Sequence, residues 1–316
     1  MKLLITRPMP DAVSARADQV FDVTHRASNA PLAPGELRAA LRDFDLVMPT
    51  LGDGFGADVF ASVDAPRCKL LANFGVGFNH IDAAAARESG VEVTNTPGAV
   101  TDATADTAMT LILMSARRAG EGERLVRSGA WQGWHPTQML GLHVTGKRLG
   151  VVGMGRIGQA IARRCHFGFE MEIAYFSRSE KSLPHPARRF DDLLALAAWV
   201  DVLVVAVPGG AGTHHLINAD VFETMKPAAH FVNIARGDVV DEAALIAALE
   251  GQQIAGAGLD VYEFEPGVPE ALKALEQVTL LPHLGTAALD VRTSMGHMAL
   301  DNLEAFAAGN PVPNPV

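Results

Sequence analysis

The sequence predicts an α/β protein built from two doubly wound parallel sheets. Three observations predict it. Short apolar runs alternate with helix-spaced segments along nearly the whole chain. The rhythm runs twice, with a break at Asn95-Thr96-Pro97-Gly98. The 316 residues suffice for two domains at roughly 150 residues each.

The first series opens with KLLIT (residues 2–6), too short for a signal-peptide core and read as a strand. DAVSARADQV (11–20) has helical spacing, and FDVTH (21–25) is the next apolar run. A Pro/Gly loop leads to the helical ELRAALRDF (36–44) and the strand-like DLVMPT (45–50). KLLANF (69–74) is apolar, and helical DAAAARESG separates it from VEVTN (91–95). After the break, residues 101–129 read as one long helical segment, apolar enough to be largely buried. The Trp/Gly/Pro-rich passage GAWQGWHPTQMLG (129–141) reads as a loop.

The second series begins with KRLGVVGMG (147–155) and continues through MEIAYFSR (171–178), VDVLVVAVP (200–208), HFVNIARG (230–237), IAGAGLDVY (254–262) and VTLLPHLG (278–285). Residues 287–309 are helical and have no new domain to join, so they are expected to return to the first one. The first domain is then discontinuous, 1–98 plus 287–316, with 99–286 inserted in it.

Hydrophobic residues make up 48% and charged residues 20%, enough apolar material for two cores and too little charge for disorder. The net charge of −10 argues against a nucleic-acid partner, which needs a basic face. No stretch reaches the ~18 apolar residues of a membrane span. Cys68 and Cys165 form no CxxC pair and suit free thiols in a reducing compartment, so a cytoplasmic location is expected.

The first chemical motif is Gly153-Met154-Gly155-Arg156-Ile157-Gly158. Alone, GxGxxG marks only a glycine-rich turn. Here it follows an apolar run and opens the helical IGQAIARRC, the context a dinucleotide pyrophosphate requires. Gly153 permits the tight turn, Gly155 a close backbone approach to phosphate, and Gly158 close helix–strand packing. About 20 residues on, an NAD site carries an acidic residue for the ribose hydroxyls. This chain has Ser177-Arg178-Ser179 instead. The guanidinium fork suits a phosphate, so NADP(H) is the preferred cofactor expected, with NAD(H) as the alternative.

Dinucleotide chemistry on a keto acid needs a group to hold the carboxylate and polarise the carbonyl, and a proton donor. Arg236 follows FVNIA, Glu265 lies just past GAGLDVY, and His283 follows TLLP, all beyond strand ends where open α/β sheets gather functional residues. Arg236 is expected to bind carboxylate and keto oxygen. His283 exchanges the proton, and Glu265 favours its charged form. Taken singly, each has an ordinary alternative as a surface ion pair or a turn residue. No metal site is expected.

Their joint pattern resembles the D-isomer-specific 2-hydroxyacid dehydrogenase family. The resemblance runs from about Leu70 to Leu303, through NFGVGFNHID (73–82), NTPGAVTDATAD (95–106), GVVGMGRIG (150–158), VNIARGDVVDE (232–242), GAGLDVYEFEP (256–266) and LPHLGTA (281–287). It implies a Rossmann cofactor domain inserted in a flavodoxin-like substrate domain, with Arg236, Glu265 and His283 catalytic. It adds backbone amides of Val76 and Gly77, beside Gly75, for the substrate carboxylate. Leu51 and Phe74 are expected to face the substrate cleft. Thr104, Ile234 and Asp260 would serve the nicotinamide side, Arg156 and Ile157 the pyrophosphate, and Val207, Pro208 and Thr213 the nucleotide cleft. The segment 127–150 is similar to the glyoxylate and hydroxypyruvate reductase branch, which implies a homodimer in which Trp134 reaches the partner's active site. Packing alone is the alternative role for Trp131 and Trp134.

The function expected is NADPH-dependent reduction of glyoxylate or hydroxypyruvate. Three alternatives stay open. One is a reductase of longer sugar-derived keto acids such as 2-ketogluconate. Another is a dinucleotide-sensing protein of the corepressor type, although the chain retains the whole Arg/Glu/His set. The third is phosphite oxidation. The formate relatives carry Gln where Glu265 stands.

Overall fold

The computed structural model describes all 316 residues, Met1–Val316. They form two compact units: Met1–Val100 with Thr286–Val316, and Thr101–Gly285. The first contains β1 (Lys2–Ile5), α1 (Asp11–Val20), β2 (Asp22–His25), α2 (Pro34–Asp43), β3 (Leu46–Met48), α3 (Ala57–Ala61), β4 (Leu70–Ala72), α4 (Ala83–Glu88) and β5 (Glu92–Thr94). The second contains α5 (Thr101–Ala116), α6 (Ala119–Arg127), β6 (Arg148–Val152), α7 (Arg156–Phe169), β7 (Glu172–Phe176), β8 (Arg188–Phe190), α8 (Leu193–Trp199), β9 (Val202–Val205), α9 (Ala219–Thr224), β10 (His230–Asn233), α10 (Glu242–Glu250), β11 (Gly256–Leu259), α11 (Glu270–Ala274) and β12 (Val278–Leu280). The last helix, α12 (Leu289–Ala307), packs on α1 and β4 of the first unit.

Every ladder is parallel. The first sheet has the order β2-β1-β3-β4-β5, that of flavodoxin-like folds. The second runs β12-β11-β10-β9-β6-β7-β8, the dinucleotide-fold order with one strand added. Its order reverses between β6 and β9. A crevice opens at such a switch point beyond the carboxyl ends of the strands.

Both sheets are covered on both faces, which is why their inner strands read as unbroken apolar runs. In β9, Leu203 and Val205 enter the core with α8, α9 and α10, while Val202 and Val204 face α5 and α7. In the first unit Leu3 and Ile5 pack toward α1 and α12, and Leu4 toward α2 and α3. Gly296 of α12 rides against Val13 of α1: a Cβ there would lie 2.4 Å from a Val13 methyl carbon. Cys68 and Cys165 are free and buried, one in each unit, and burial pushes both thiols up to about 12. No helix is long and apolar enough to cross a membrane.

The structure departs from the sequence reading in two places. The long helical segment breaks after Ala116, where Arg118 takes a left-handed φ of 53° and pairs with Glu121 at 2.6 Å. Only α5 is largely buried; α6 buries no residue. The expectation of one buried helix fails because α6, AGEGERLVR, is dominated by glycine and charged side chains. The strand β8 lies outside the expected series. With two exposed arginines and only Phe190 buried, it is too short to show a period.

Candidate active site

The strand β6 delivers Gly153 to the switch point of the second sheet. Gly153 has φ +99°, and a Cβ there would lie 2.7 Å from the Ala206 carbonyl oxygen and 2.7 Å from a Val207 methyl carbon. A Cβ on Gly158 would lie 2.1 Å from the Gly153 carbonyl oxygen. Only glycine lets α7 start this close to β6. Gly155 differs, because nothing lies within 4 Å of its would-be Cβ. The turn is closed toward the protein and open at Gly155. Gly155 provides no side-chain cap, so the first amides of α7, those of Arg156 and Ile157, meet no capping group. This donor set fits a dinucleotide pyrophosphate.

At the end of β7, Ser177 donates its hydroxyl to the Ser179 carbonyl at 2.6 Å. Lys181 donates to Ser179 Oγ at 2.8 Å, which leaves the Ser179 proton free to donate. Arg178 is exposed and makes no ion pair. After β9, Thr213 donates to the Pro208 carbonyl at 2.7 Å and closes the loop that carries Val207 and Pro208. His215 follows with φ +48°, and its Nε2 lies 2.8 Å from Glu263 Oε1. That pair ties the loop after β9 to the segment after β11.

Arg236, Glu265 and His283 come together beyond β10, β11 and β12. His283 Nδ1 lies 2.9 Å from Glu265 Oε2. Glu265 Oε1 accepts the Tyr262 amide at 3.1 Å. Burial pushes the Glu265 carboxyl up. The His283 bond and charge, the Tyr262 amide and the Arg236 charge outweigh burial and hold it below the usual range. Burial also draws the Arg236 guanidinium down, opposed by the charges of Glu265 and Asp238.

His283 takes a left-handed backbone, φ +56°, which non-glycine residues rarely adopt. Asp260 holds it there. The Asp260 carbonyl accepts the His283 amide at 3.0 Å, and its carboxylate accepts the amides of Leu284 at 2.6 Å and Gly285 at 2.8 Å. Burial raises the Asp260 pKa against those bonds. Thr104, buried on α5, lies beside Gly285, and Ile234 is buried at the end of β10. The carboxylate expected to serve the nicotinamide therefore also shapes the histidine loop.

The residues expected to line the substrate side lie in the first unit. Leu51 is exposed in a loop gripped by the fully buried Asp53, which accepts from Thr6 Oγ1 at 2.6 Å, the Leu32 amide at 2.9 Å and the Thr50 amide at 3.0 Å, and pairs with Arg7 at 2.9 Å. Phe74 bridges to Thr50. Gly75, Val76 and Gly77 follow β4, half-buried. Trp134, in the second unit, is 79% exposed in the loop after α6.

Sequence reasoning missed several supports of these groups. Asn233, at the end of β10, donates to the Arg236 carbonyl at 2.9 Å and accepts the Ala235 amide at 3.0 Å. Gly237 lies under the segment after β11, where a Cβ would fall 1.9 Å from the Tyr262 carbonyl carbon. The available signal was a polar residue ending a buried strand and a glycine directly after the arginine.

Residues 109–285 match the family model described as D-isomer specific 2-hydroxyacid dehydrogenase, NAD binding domain. The chain is 42% identical over 321 aligned residues to the glyoxylate reductase of Thermococcus onnurineus, covering 99% of this chain and 94% of that protein. The crystal structure of the TT0316 protein from Thermus thermophilus superposes with a TM-score of 0.92 at 39% identity, over 100% of both chains. An NADPH-dependent glyoxylate/hydroxypyruvate reductase from Sinorhizobium meliloti, in complex with NADP and malonate, has a TM-score of 0.89 at 35% identity, over 100% of this chain and 96% of that one.

Proposed function

The chain belongs to the D-isomer specific 2-hydroxyacid dehydrogenase family, and from that premise we propose that it reduces glyoxylate or hydroxypyruvate to the D-2-hydroxy acid with NADPH. The observation that carries the reading is the 2.9 Å bond between His283 Nδ1 and Glu265, within reach of the Arg236 charge. A structural turn needs no such set. A proton donor for a developing alkoxide does.

Bound NADPH supplies the hydride. Arg236 holds the substrate carboxylate and keto oxygen with its planar fork, and burial strengthens those contacts. Because Nδ1 is engaged by Glu265, His283 uses Nε2 to give its proton to the alkoxide, and takes one there in the reverse direction. Glu265 stays anionic and stabilises the protonated ring. The amides of Val76 and Gly77, beside Gly75, take the carboxylate, while Leu51 and Phe74 limit what lies beyond it. Asp260, Thr104 and Ile234 hold the nicotinamide end, the Gly153–Gly158 turn holds the pyrophosphate, and Val207, Pro208 and Thr213 line the nucleotide. In this reading residues 1–98 with 287–316 form the substrate domain and 99–286 the cofactor domain.

The NADPH preference is supported by the unpaired Arg178, the free Ser179 proton and the nearby Lys181, where no carboxylate ends β7. Ser177 has its proton committed to the loop, so it acts by shaping the site. A homodimer is supported by α6, which buries nothing, and by the exposed apolar side chains of Val126, Trp131, Trp134 and Leu140 on and after it. In that dimer Trp134 reaches the partner's site.

The test is a steady-state panel of glyoxylate, hydroxypyruvate and 2-ketogluconate, each with NADPH and NADH. The two small acids should be preferred, with kcat/KM for NADPH at least about tenfold above NADH, the worth of one charge-assisted contact. Equal values with both cofactors would remove the role of Arg178. A preference for 2-ketogluconate would move the substrate class.

A further inference from the structure

We infer that Asn73 and Asn95 are positioning residues that aim the backbone amides of Val76 and Gly77 at the substrate carboxylate. The inference rests on the keto-acid reading above and adds the side chains that make its anion site.

Three successive carbonyls after β4 are captured by two asparagine side chains. Asn73 Nδ2 donates to the Gly75 carbonyl at 3.0 Å and to the Gly77 carbonyl at 3.1 Å. Asn95 Nδ2 donates to the Val76 carbonyl, between them, at 2.8 Å. The Thr96 amide adds a further bond to the Gly75 carbonyl at 3.1 Å. In a trans peptide the N–H of one residue points opposite to the C=O of the residue before it. Fixing the Gly75 and Val76 carbonyls therefore turns the Val76 and Gly77 N–H groups away from the asparagine amides that hold them. Neither N–H donates to any acceptor within the protein. Consecutive amides of this kind make a concave site for an anion.

Stability alone does not explain Asn73. The residue is fully buried, and its Oδ1 has no partner. A buried acceptor without a partner costs about 1–3 kcal/mol, which offsets much of what the two Nδ2 bonds contribute to the fold. What Asn73 uniquely supplies is one NH₂ group that spans two carbonyls on either side of Val76. Asn95 is anchored independently, because its backbone amide donates to the Asn314 carbonyl at 3.2 Å. Two separate elements thus grip one three-residue segment.

The experiment compares the full-length wild type with Asn73→Ala and Asn95→Ala. It measures kcat, KM for glyoxylate, KM for NADPH and Tm. The expected result is a rise of about tenfold in KM for glyoxylate, with kcat and KM for NADPH within about twofold, the size of a weakened hydrogen bond to a charged group. Inhibition by oxalate, which offers the same carboxylate, should weaken by a similar factor. Asn95 is only half-buried, so Asn95→Ala carries the test if Asn73→Ala fails to fold. An unchanged KM for glyoxylate in a folded variant overturns the inference, and so does an equal rise in both KM values. A wild type that reduces no 2-keto acid overturns the reaction itself, which is a different result from an active wild type with unaffected variants.

Discussion

His283→Ala is expected to lower kcat for keto-acid reduction by about a thousandfold, with affinity for NADPH changed by less than about twofold. Removing the imidazole leaves hydride transfer to generate an alkoxide with no positioned proton. Water replaces the ring poorly, because the site is built around one orientation. Glu265 fixes Nδ1 at 2.9 Å, and the three Asp260 contacts hold the left-handed backbone of the loop. The cofactor contacts assigned to the Gly153–Gly158 turn lie on other elements, so NADPH binding should survive. A His283→Ala protein with near wild-type kcat would show that the proton comes from elsewhere.

Arg236→Ala should cost a comparable amount, but in kcat/KM. The guanidinium is asked to make two charge-assisted hydrogen bonds to substrate, each worth about 1.5–3 kcal/mol, so kcat/KM should fall by about 10² to 10⁴. Glu265 would also lose the positive charge that helps hold its carboxyl low. Arg236→Lys should recover little, since an ammonium keeps the charge and loses the fork. Isothermal titration with NADPH and steady-state kinetics on the same preparations separate substrate from cofactor effects. A loss in kcat/KM smaller than about tenfold would argue that Arg236 serves only the Asn233-anchored turn.

The sequence made most strands and their alternation readable because both sheets are covered on both faces, so the inner strands are short apolar runs between polar loops. The glycine turn was readable for a steric reason: Gly153 and Gly158 sit where a Cβ would strike backbone. Arg236, Glu265 and His283 were readable because each follows a strand. What escaped were the supports. Asn73, Asn95, Asn233 and Asp53 act through side-chain bonds to backbone groups that only the folded chain brings near. Asn73 sits in an apolar run and Asp53 in a glycine loop, and neither shows a period. The helix break at Arg118 was hidden for another reason. Helical spacing runs through both segments, and the glycines and charges of α6 tell on it only once α5 alone is buried against the sheet.

Asp260 illustrates how a role can widen on folding. The family resemblance implies a partner for the nicotinamide. Its two carboxylate oxygens meet the Leu284 and Gly285 amides, immediately after His283. A carboxylate has lone pairs for more than two donors, so both roles are compatible. In the proposed reading, the histidine loop and the cofactor site share one buried charge.

The most direct measurement is the hydroxypyruvate arm of the substrate panel, read for product configuration and for NADPH consumed. Purified protein is expected to yield D-glycerate with one NADPH oxidised per molecule formed. L-Glycerate, or no turnover with either cofactor, would contradict the proposed reaction.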